Sequence, residues 1–189
     1  MPGAGGGEGL LKKRDEIMEI RKATKEDAHS LLDIYSYYVE NTAISFEYET
    51  PSLDEFEKRI IKTLEKYPYV VIEDGGLIRG YAYAGPFHSR AAYAHCCEVT
   101  IYLDRDSKGK GYGRALYEAL ETALKQMGII NLYACIADPE IEDEYLTKNS
   151  ESFHKHMGYT GVGEFHKCGY KFGRWYNMIW MEKMIGEHT

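Results

Sequence analysis

Between Glu98 and Leu116 the chain reads Glu-Val-Thr-Ile-Tyr-Leu-Asp-Arg-Asp-Ser-Lys-Gly-Lys-Gly-Tyr-Gly-Arg-Ala-Leu, and no other stretch constrains the fold as tightly. From Glu98 to Leu103 the residues are largely β-branched, aromatic or aliphatic, which suits a pleated strand. Gly109, Gly111 and Gly113 then alternate with Lys110 and Tyr112. Leu116, Leu120, Ala123, Leu124 and Met127 recur at helical spacing and form one apolar stripe. The pattern predicts a strand, a tight turn and a helix in direct succession. A glycine turn that opens a helix presents bare backbone N–H groups at the positive end of the helix dipole, which is an anion site. Strand parity sets Val99, Ile101 and Leu103 on an apolar face and Glu98, Thr100 and Tyr102 on the opposite one. Glu98 therefore offers a carboxylate upstream of that anion site, on the face free to line a cleft.

The flanking chain alternates helices and strands. Glu19 to Ala23 reads as an opening strand and Thr24-Lys-Glu-Asp27 as a helix cap. Ala28, Leu31, Leu32, Tyr35 and Val39 mark a first amphipathic helix. Asn41 to Pro51 breaks the periodicity and is either a partly extended loop or a short strand. Ser52-Leu-Asp-Glu55 caps a second helix, which Pro68 stops. Tyr69 to Glu73 and Leu77 to Ala84 form a hairpin about Asp74-Gly-Gly76. Phe87 to Tyr93 is a loop, Asn131 to Ala137 a strand, and Asp138 to Glu144 an acidic connector. Lys148 to Gly158 reads as a short helix. Tyr159 to Cys168 and Lys171 to Met184 complete a hairpin turning at Gly169. The expected class is α/β (α+β), a single mixed sheet flanked by helices.

Several classes fall away. The net charge is −7 with no basic block, so nucleic acid is not expected as a partner. No apolar run approaches the ~18 residues of a membrane span. Cys96, Cys97, Cys135 and Cys168 contain no C-x-x-C pair and no zinc spacing, so no metal is expected. Buried or half-buried free thiols of a cytoplasmic protein are the expectation. Residues 1–17, glycine-rich at the start and without an apolar h-region, read as a flexible leader, and 18–189 as a single domain.

The glycine turn fits neither common nucleotide fingerprint. No Gly-x-x-x-x-Gly-Lys-Ser/Thr is present, and Leu116 stands where a Gly-x-Gly-x-x-Gly pattern needs its last glycine. Lys108-Gly-Lys-Gly-Tyr-Gly-Arg114 instead resembles the Arg/Gln-x-x-Gly-x-Gly/Ala motif of the Gcn5-related N-acetyltransferases, with Lys108 in the Arg/Gln place. Arg90-Ala-Ala-Tyr93, Glu98 to Leu103, Phe153-His-Lys-His-Met-Gly-Tyr159 and Gly169-Tyr-Lys-Phe-Gly-Arg-Trp175 resemble segments of phosphinothricin and methionine sulfoximine acetyltransferases. The matches span residues 18 to 184.

That resemblance implies acetyl-CoA as cosubstrate. It would lie against Ile101, Tyr102 and Leu103 on the strand and Lys108, Gly109, Lys110, Gly111, Tyr112, Gly113 and Arg114 in the loop. The Ile101 N–H would serve the thioester oxyanion. Thr147 and Ser150 fall where related chains have an Asn-x-x-Ser contact to the pantetheine arm; Asn149 is displaced from the Asn place by two residues. Glu98 is the expected general base, because an amine acceptor is mostly protonated at neutral pH and must lose a proton before it attacks. His154, where many relatives have Tyr, is the expected acid for the leaving thiolate. A small amino acid with an anionic tail needs cations. Arg90 suits a carboxylate through its planar fork, with Lys171 and Arg174 as second contacts. Phe46, Glu47 and Tyr93 would shape the pocket. The resemblance also implies a homodimer. Two other readings stay open at this stage: an acetyltransferase for another amine, such as a protein N-terminus or a polyamine, and a CoA-binding sensor without catalysis.

Overall fold

A computed structural model of the chain describes residues 18–188, so the leader expected over 1–17 lies outside the described residues. Seven strands and four α-helices follow in order. They are β1 (Glu19–Lys22), α1 (Ala28–Asn41), α2 (Leu53–Leu64), β2 (Tyr69–Asp74), β3 (Leu77–Pro86), β4 (Cys96–Leu103) and α3 (Tyr112–Gln126). Then come β5 (Asn131–Asp138), α4 (Asn149–His156), β6 (Thr160–Lys171) and β7 (Arg174–Met184). The strands form one sheet in the order β1-β2-β3-β4-β5-β7-β6. Only the central β4–β5 pair is parallel, and α3 makes the crossover between those strands.

Helices cover both faces, and the strand alternation assigns residues to each. On one face Leu116, Leu120 and Leu124 of α3 pack on Val99, Leu132, Ala134 and Ile136. Each of these fully buried leucines contributes roughly 1.5–3 kcal/mol of transfer free energy. On the other face Leu31, Tyr35, Val39, Phe56 and Ile60 of α1 and α2 pack on Tyr69, Val71 and Tyr81. Tyr102 joins that second cluster, so the face of β4 that carries Glu98 is aromatic at its far end rather than uniformly polar.

Local chemistry fixes the joints. Ser52 accepts from the Glu55 N–H at 3.2 Å and starts α2. Gly75 and Gly76, both at positive φ, make the two-residue β2–β3 turn. The stretch from 42 to 52 is a loop, not a strand. The final hairpin turns at Phe172–Gly173, where both residues have positive φ, and not at Gly169 as expected. Gly169 lies inside β6 for another reason: a Cβ there would stand 2.3 Å from the Phe46 ring. All four cysteines are free, but only Cys97 is buried and Cys96 half-buried. Cys135 and Cys168 are exposed, which corrects the buried reading for those two.

Candidate active site

The site begins where the sheet fails to close. β4 and β5 pair only through Cys96–Asn131, Cys97–Leu132 and Glu98–Tyr133. Past Glu98, β4 remains bonded to β3 as far as Leu103, while β5 continues against β7 as far as Asp138. The two strands splay, and the β4 edge from Val99 onward has no β5 partner. Backbone donors on that edge are left for another acceptor.

A narrow slot of about 70 Å³ passes through the opening. Thr100, Tyr102 and Cys135 line it on one face of the sheet, and Tyr117, Ser150 and His154 on the other. Ile44, from the loop between α1 and α2, also borders it. Ile44, Ile101, Tyr102 and Ser150 are shared with a wider channel of about 250 Å³, which runs past Leu103, Asn149 and Phe153 to Lys108 and Gly109.

That channel ends at the glycine turn. Gly109 and Gly111 have φ of 76° and 80°, a left-handed conformation that side chains resist. A Cβ on either would meet nothing within 4 Å, so the turn has open space above it. Gly111 is the N-cap of the 15-residue α3, whose first N–H groups face that space. Gly113 is needed for a different reason, since a Cβ there would press on the Phe153 ring at 3.0 Å. The Tyr112 hydroxyl donates to Asp74 at the β2–β3 turn, which ties the loop to the sheet edge. The buried Ser107 hydroxyl just before the turn has no hydrogen-bond partner among the described residues. A strip of free N–H groups at the end of a channel fits a pyrophosphate and its arm. Lys110 lies over the Tyr112 ring and Arg114 pairs loosely with Glu118, so neither side chain projects into the channel.

Glu98 sits at the apex of the splay. It is half-buried, and no group among the described residues donates a hydrogen bond to its carboxylate. Burial pushes its pKa above the usual carboxylate value. Strand parity sets its side chain on the face of Thr100 and Tyr102, where Tyr83 lies opposite Thr100.

His154 occupies the opposite face and is 4% exposed. Its Nδ1 lies 2.8 Å from the Ser150 carbonyl oxygen, which can only accept, so Nδ1 carries the proton. Burial lowers the pKa of the ring, and in the neutral form Nε2 accepts the Tyr117 hydroxyl proton at 2.8 Å. Both nitrogens are thus engaged. With Nδ1 on the Ser150 carbonyl and Nε2 on the Tyr117 hydroxyl, neither ring nitrogen has a proton free to give directly, as the donor expected of His154 needs; both His154 and Tyr117 line the slot. Tyr117 carries no signal in the sequence, because it sits within a helical apolar stripe where a tyrosine reads as packing.

The expected acceptor residues divide. Arg90 is exposed and has no partner among the described residues, and Tyr93 packs edge-on to Phe87, which stacks on Tyr133 beside Glu98. Lys171 is buried, and its ammonium donates to the carbonyls of Val39, Thr42 and Ser45 at 2.7, 2.8 and 2.7 Å. It has no donor left for a substrate. Arg174 is bound bidentately by Glu144 and also by Asp143. Glu47 accepts from Tyr35 and pairs with Arg59 at 2.8 Å, and Phe46 lies against Gly169. At the α4 end Thr147 accepts from the Asn149 N–H in the turn before the helix, whose N-cap is Lys148, while Asn149 and Ser150 line the channel. Asn149, the residue out of register in the sequence, is the one placed there. Among the described residues no helix is long and apolar enough to cross a membrane, and no His/Cys/Asp/Glu group has metal-site geometry.

Comparison with known proteins gives the same frame. Residues 20–180 match the acetyltransferase (GNAT) domain model. The phosphinothricin N-acetyltransferase of Streptomyces viridochromogenes is 31% identical, covering 85% of this chain and 84% of that one. The L-methionine sulfoximine/L-methionine sulfone acetyltransferase of Salmonella typhimurium is 30% identical, covering 91% and 97%. A phosphinothricin acetyltransferase from Sinorhizobium meliloti, solved in complex with acetyl-CoA, superposes with a TM-score of 0.82 at 32% identity, covering 91% and 90%. The chain belongs to the GNAT acetyltransferase family.

Proposed function

We propose that this chain transfers an acetyl group from acetyl-CoA to the amino group of a small amino acid, with Glu98 as general base. The observation that carries the reading is the end of β4–β5 pairing at Glu98, which sets a carboxylate next to Val99, where the slot begins, and the slot joins the channel that runs to the glycine turn. Bound acetyl-CoA supplies an activated acetyl thioester, and the turn at Gly109–Gly113 with the channel wall of Ile101, Leu103, Asn149, Ser150 and Phe153 is shaped to hold its pyrophosphate and arm.

The other steps belong to the protein. Glu98 takes a proton from the incoming ammonium, directly or through one water, and its raised pKa makes it a better base than an ordinary surface carboxylate. Free N–H groups on the β4 edge polarise the carbonyl under attack; we assign Ile101 to that role. On the far face Tyr117 turns its single hydroxyl proton from His154 Nε2 to the departing sulfur, and the tyrosinate left behind regains a proton from water; His154, fixed by the Ser150 carbonyl, holds the hydroxyl in place between turnovers. The amine attacks directly. No acyl-enzyme is needed, and Cys135, solvent-accessible as a residue but with its thiol desolvated by the slot walls and facing the Glu98 charge, has its pKa pushed up to about 12 and is a poor nucleophile.

The acceptor reading narrows with the cations. Lys171 is engaged by buried carbonyls and Arg174 by the carboxylates of Asp143 and Glu144, and Arg90 has no partner among the described residues. One unpaired arginine favours an acceptor with a single carboxylate and a neutral polar tail, of the methionine sulfoximine kind, over one with two anions such as phosphinothricin. We further propose that 18–189 act as one domain. The test is free-thiol release from acetyl-CoA with a panel of amino acids, polyamines and N-terminal peptides. Turnover on methionine sulfoximine that exceeds that on phosphinothricin is the expected result. Turnover on polyamines or peptides alone would overturn the acceptor, and binding of acetyl-CoA without any turnover would overturn catalysis.

A further inference from the structure

The buried ammonium of Lys171 is the least explained group in the molecule. A lysine that is 4% exposed, with no carboxylate at salt-bridge distance among the described residues, is unusual, since a desolvated cation normally needs a paired counter-charge and Glu47 acts on it only from a distance. Here three carbonyls replace it, and they do not belong to neighbouring strands. Val39 is in the last turn of α1, whose carbonyls have no helical partner, and Thr42 and Ser45 are in the loop that follows. The three N–H bonds of an ammonium radiate tetrahedrally and can meet three converging carbonyls; a planar guanidinium cannot.

The residues beside Lys171 grip the same loop. The Tyr170 carbonyl accepts the Tyr48 hydroxyl at 2.5 Å, and Gly169 gives its face to the Phe46 ring. Three consecutive residues of β6 thus hold a stretch about 125 positions earlier in the chain, by 132, 129 and 126 positions for the lysine bonds. The loop so held contributes Ile44 to both the slot and the channel, and carries Phe46 and Glu47.

We propose that Lys171 is a positioning residue for acceptor binding: through Val39, Thr42 and Ser45 it clamps the loop between α1 and α2 as a fixed wall of the cleft, and the tip of the β6–β7 hairpin thereby sets acceptor affinity. The clamp stands on the geometry alone; its effect on the acceptor rests on the acetyltransferase reading above. Lys171 touches no substrate in this account.

The test compares the full chain with Lys171→Met, which keeps length and removes every donor, and with Tyr48→Phe, which removes one hydroxyl from an exposed side chain. Three quantities are read: amide hydrogen exchange of peptides covering 39–52, acetyl-CoA affinity by calorimetry, and kcat and KM with methionine sulfoximine. Lys171→Met is expected to lose protection over 39–52 and to raise the acceptor KM on the order of 10- to 100-fold, with acetyl-CoA affinity changed less than about threefold. Tyr48→Phe is expected to move the same readouts in the same direction by a smaller factor. Unchanged loop protection, or an unchanged acceptor KM with only a lower melting temperature, would overturn the proposal. If Lys171→Met does not fold, Tyr48→Phe and Gly169→Ala, which displaces the Phe46 ring, decide by the same readouts. If the unaltered protein acetylates no amine, the acetyltransferase reading fails, and hydrogen exchange still decides whether the clamp exists.

Discussion

The two sides of the cleft are built in opposite ways. The cofactor side is a single run of chain: β4, the glycine turn and the start of α3 follow one another, and their functional groups are backbone N–H groups that any sequence with the right glycines provides. The acceptor side, as proposed, is the loop at 42–52, which contributes Ile44 to the slot, held by the hairpin tip at 169–174 with the connector at 143–146 packed beside it. Side chains hold these pieces together: Lys171 on three carbonyls, Arg174 on Asp143 and Glu144, and Tyr145 stacked on Phe172. A site made by the backbone can bind one constant ligand. A site made by long-range side-chain ties can change its ligand by changing a few residues, without touching the sheet.

Glu98 stands where the two sides meet, so its replacement tests the division most severely. Glu98→Gln is expected to lower kcat by ~10²–10⁴ while acetyl-CoA affinity holds. In the unaltered enzyme kcat/KM should rise with pH through a carboxyl titration displaced upward. Stability runs the other way. A carboxyl whose folded pKa is raised binds more protons folded than unfolded, so its contribution is present at acid pH and falls as pH rises between the two pKa values. Glu98→Gln should therefore be no less stable than the parent at neutral pH, by chemical denaturation, although nearly inactive. A matching loss of stability would mean that Glu98 is a structural residue.

Much of this contrast was legible in the sequence, and physical reasons separate what was from what was not. The strand, turn and helix around Gly111 are local, and local pattern carries them. The splay at Glu98 is a failure of pairing between strands joined by a helix, and no composition signal marks where pairing stops. Lys171 reads as a second substrate contact because an anionic acceptor needs cations; its burial depends on three carbonyls that only the folded chain brings to it. Gly169 read as a turn because glycine usually marks one, whereas here it makes room for Phe46. Cys135 and Cys168 read as buried by their type, but both lie exposed, one at the slot and the other at a bulge of β6 opposite Asn177.

Tyr117 tests the far wall of the slot. Tyr117→Phe removes the hydroxyl that His154 Nε2 accepts and leaves a buried nitrogen without a partner, at about 1–3 kcal/mol. The expected result is a lower melting temperature together with slower turnover. A loss of stability with turnover unchanged would reduce Tyr117 and His154 to packing. Gly111→Ala comes next in size. It forces a side chain into a left-handed conformation, at roughly 1–2 kcal/mol, and places a methyl group in the space above the turn. Acetyl-CoA affinity should fall while the acceptor KM is held. If hairpin-tip variants weaken acetyl-CoA as much as Gly111→Ala does, the two sides are not separable.

The smallest effect gives the sharpest discrimination, because it sets register against position. Thr147 occupies the place where related chains carry an asparagine for the cofactor arm, but its hydroxyl is bound at 3.4 Å by the Asn149 N–H at the start of α4. The Asn149 side chain has no partner among the described residues, and the residue lines the channel beside Ser150 and Phe153. A neutral hydrogen bond from an amide side chain to the arm contributes about 0.5–1.5 kcal/mol, a two- to tenfold change in affinity. Asn149→Ala should weaken acetyl-CoA by that factor with little change in melting temperature. Thr147→Ala should do the reverse, because it removes a turn hydrogen bond worth about 0.5–1.5 kcal/mol at most and no ligand contact. Calorimetry and thermal unfolding on both variants separate the cases. If Thr147→Ala lowers affinity and Asn149→Ala does not, the register inferred from sequence holds and the channel wall is drawn one helical step from where it functions.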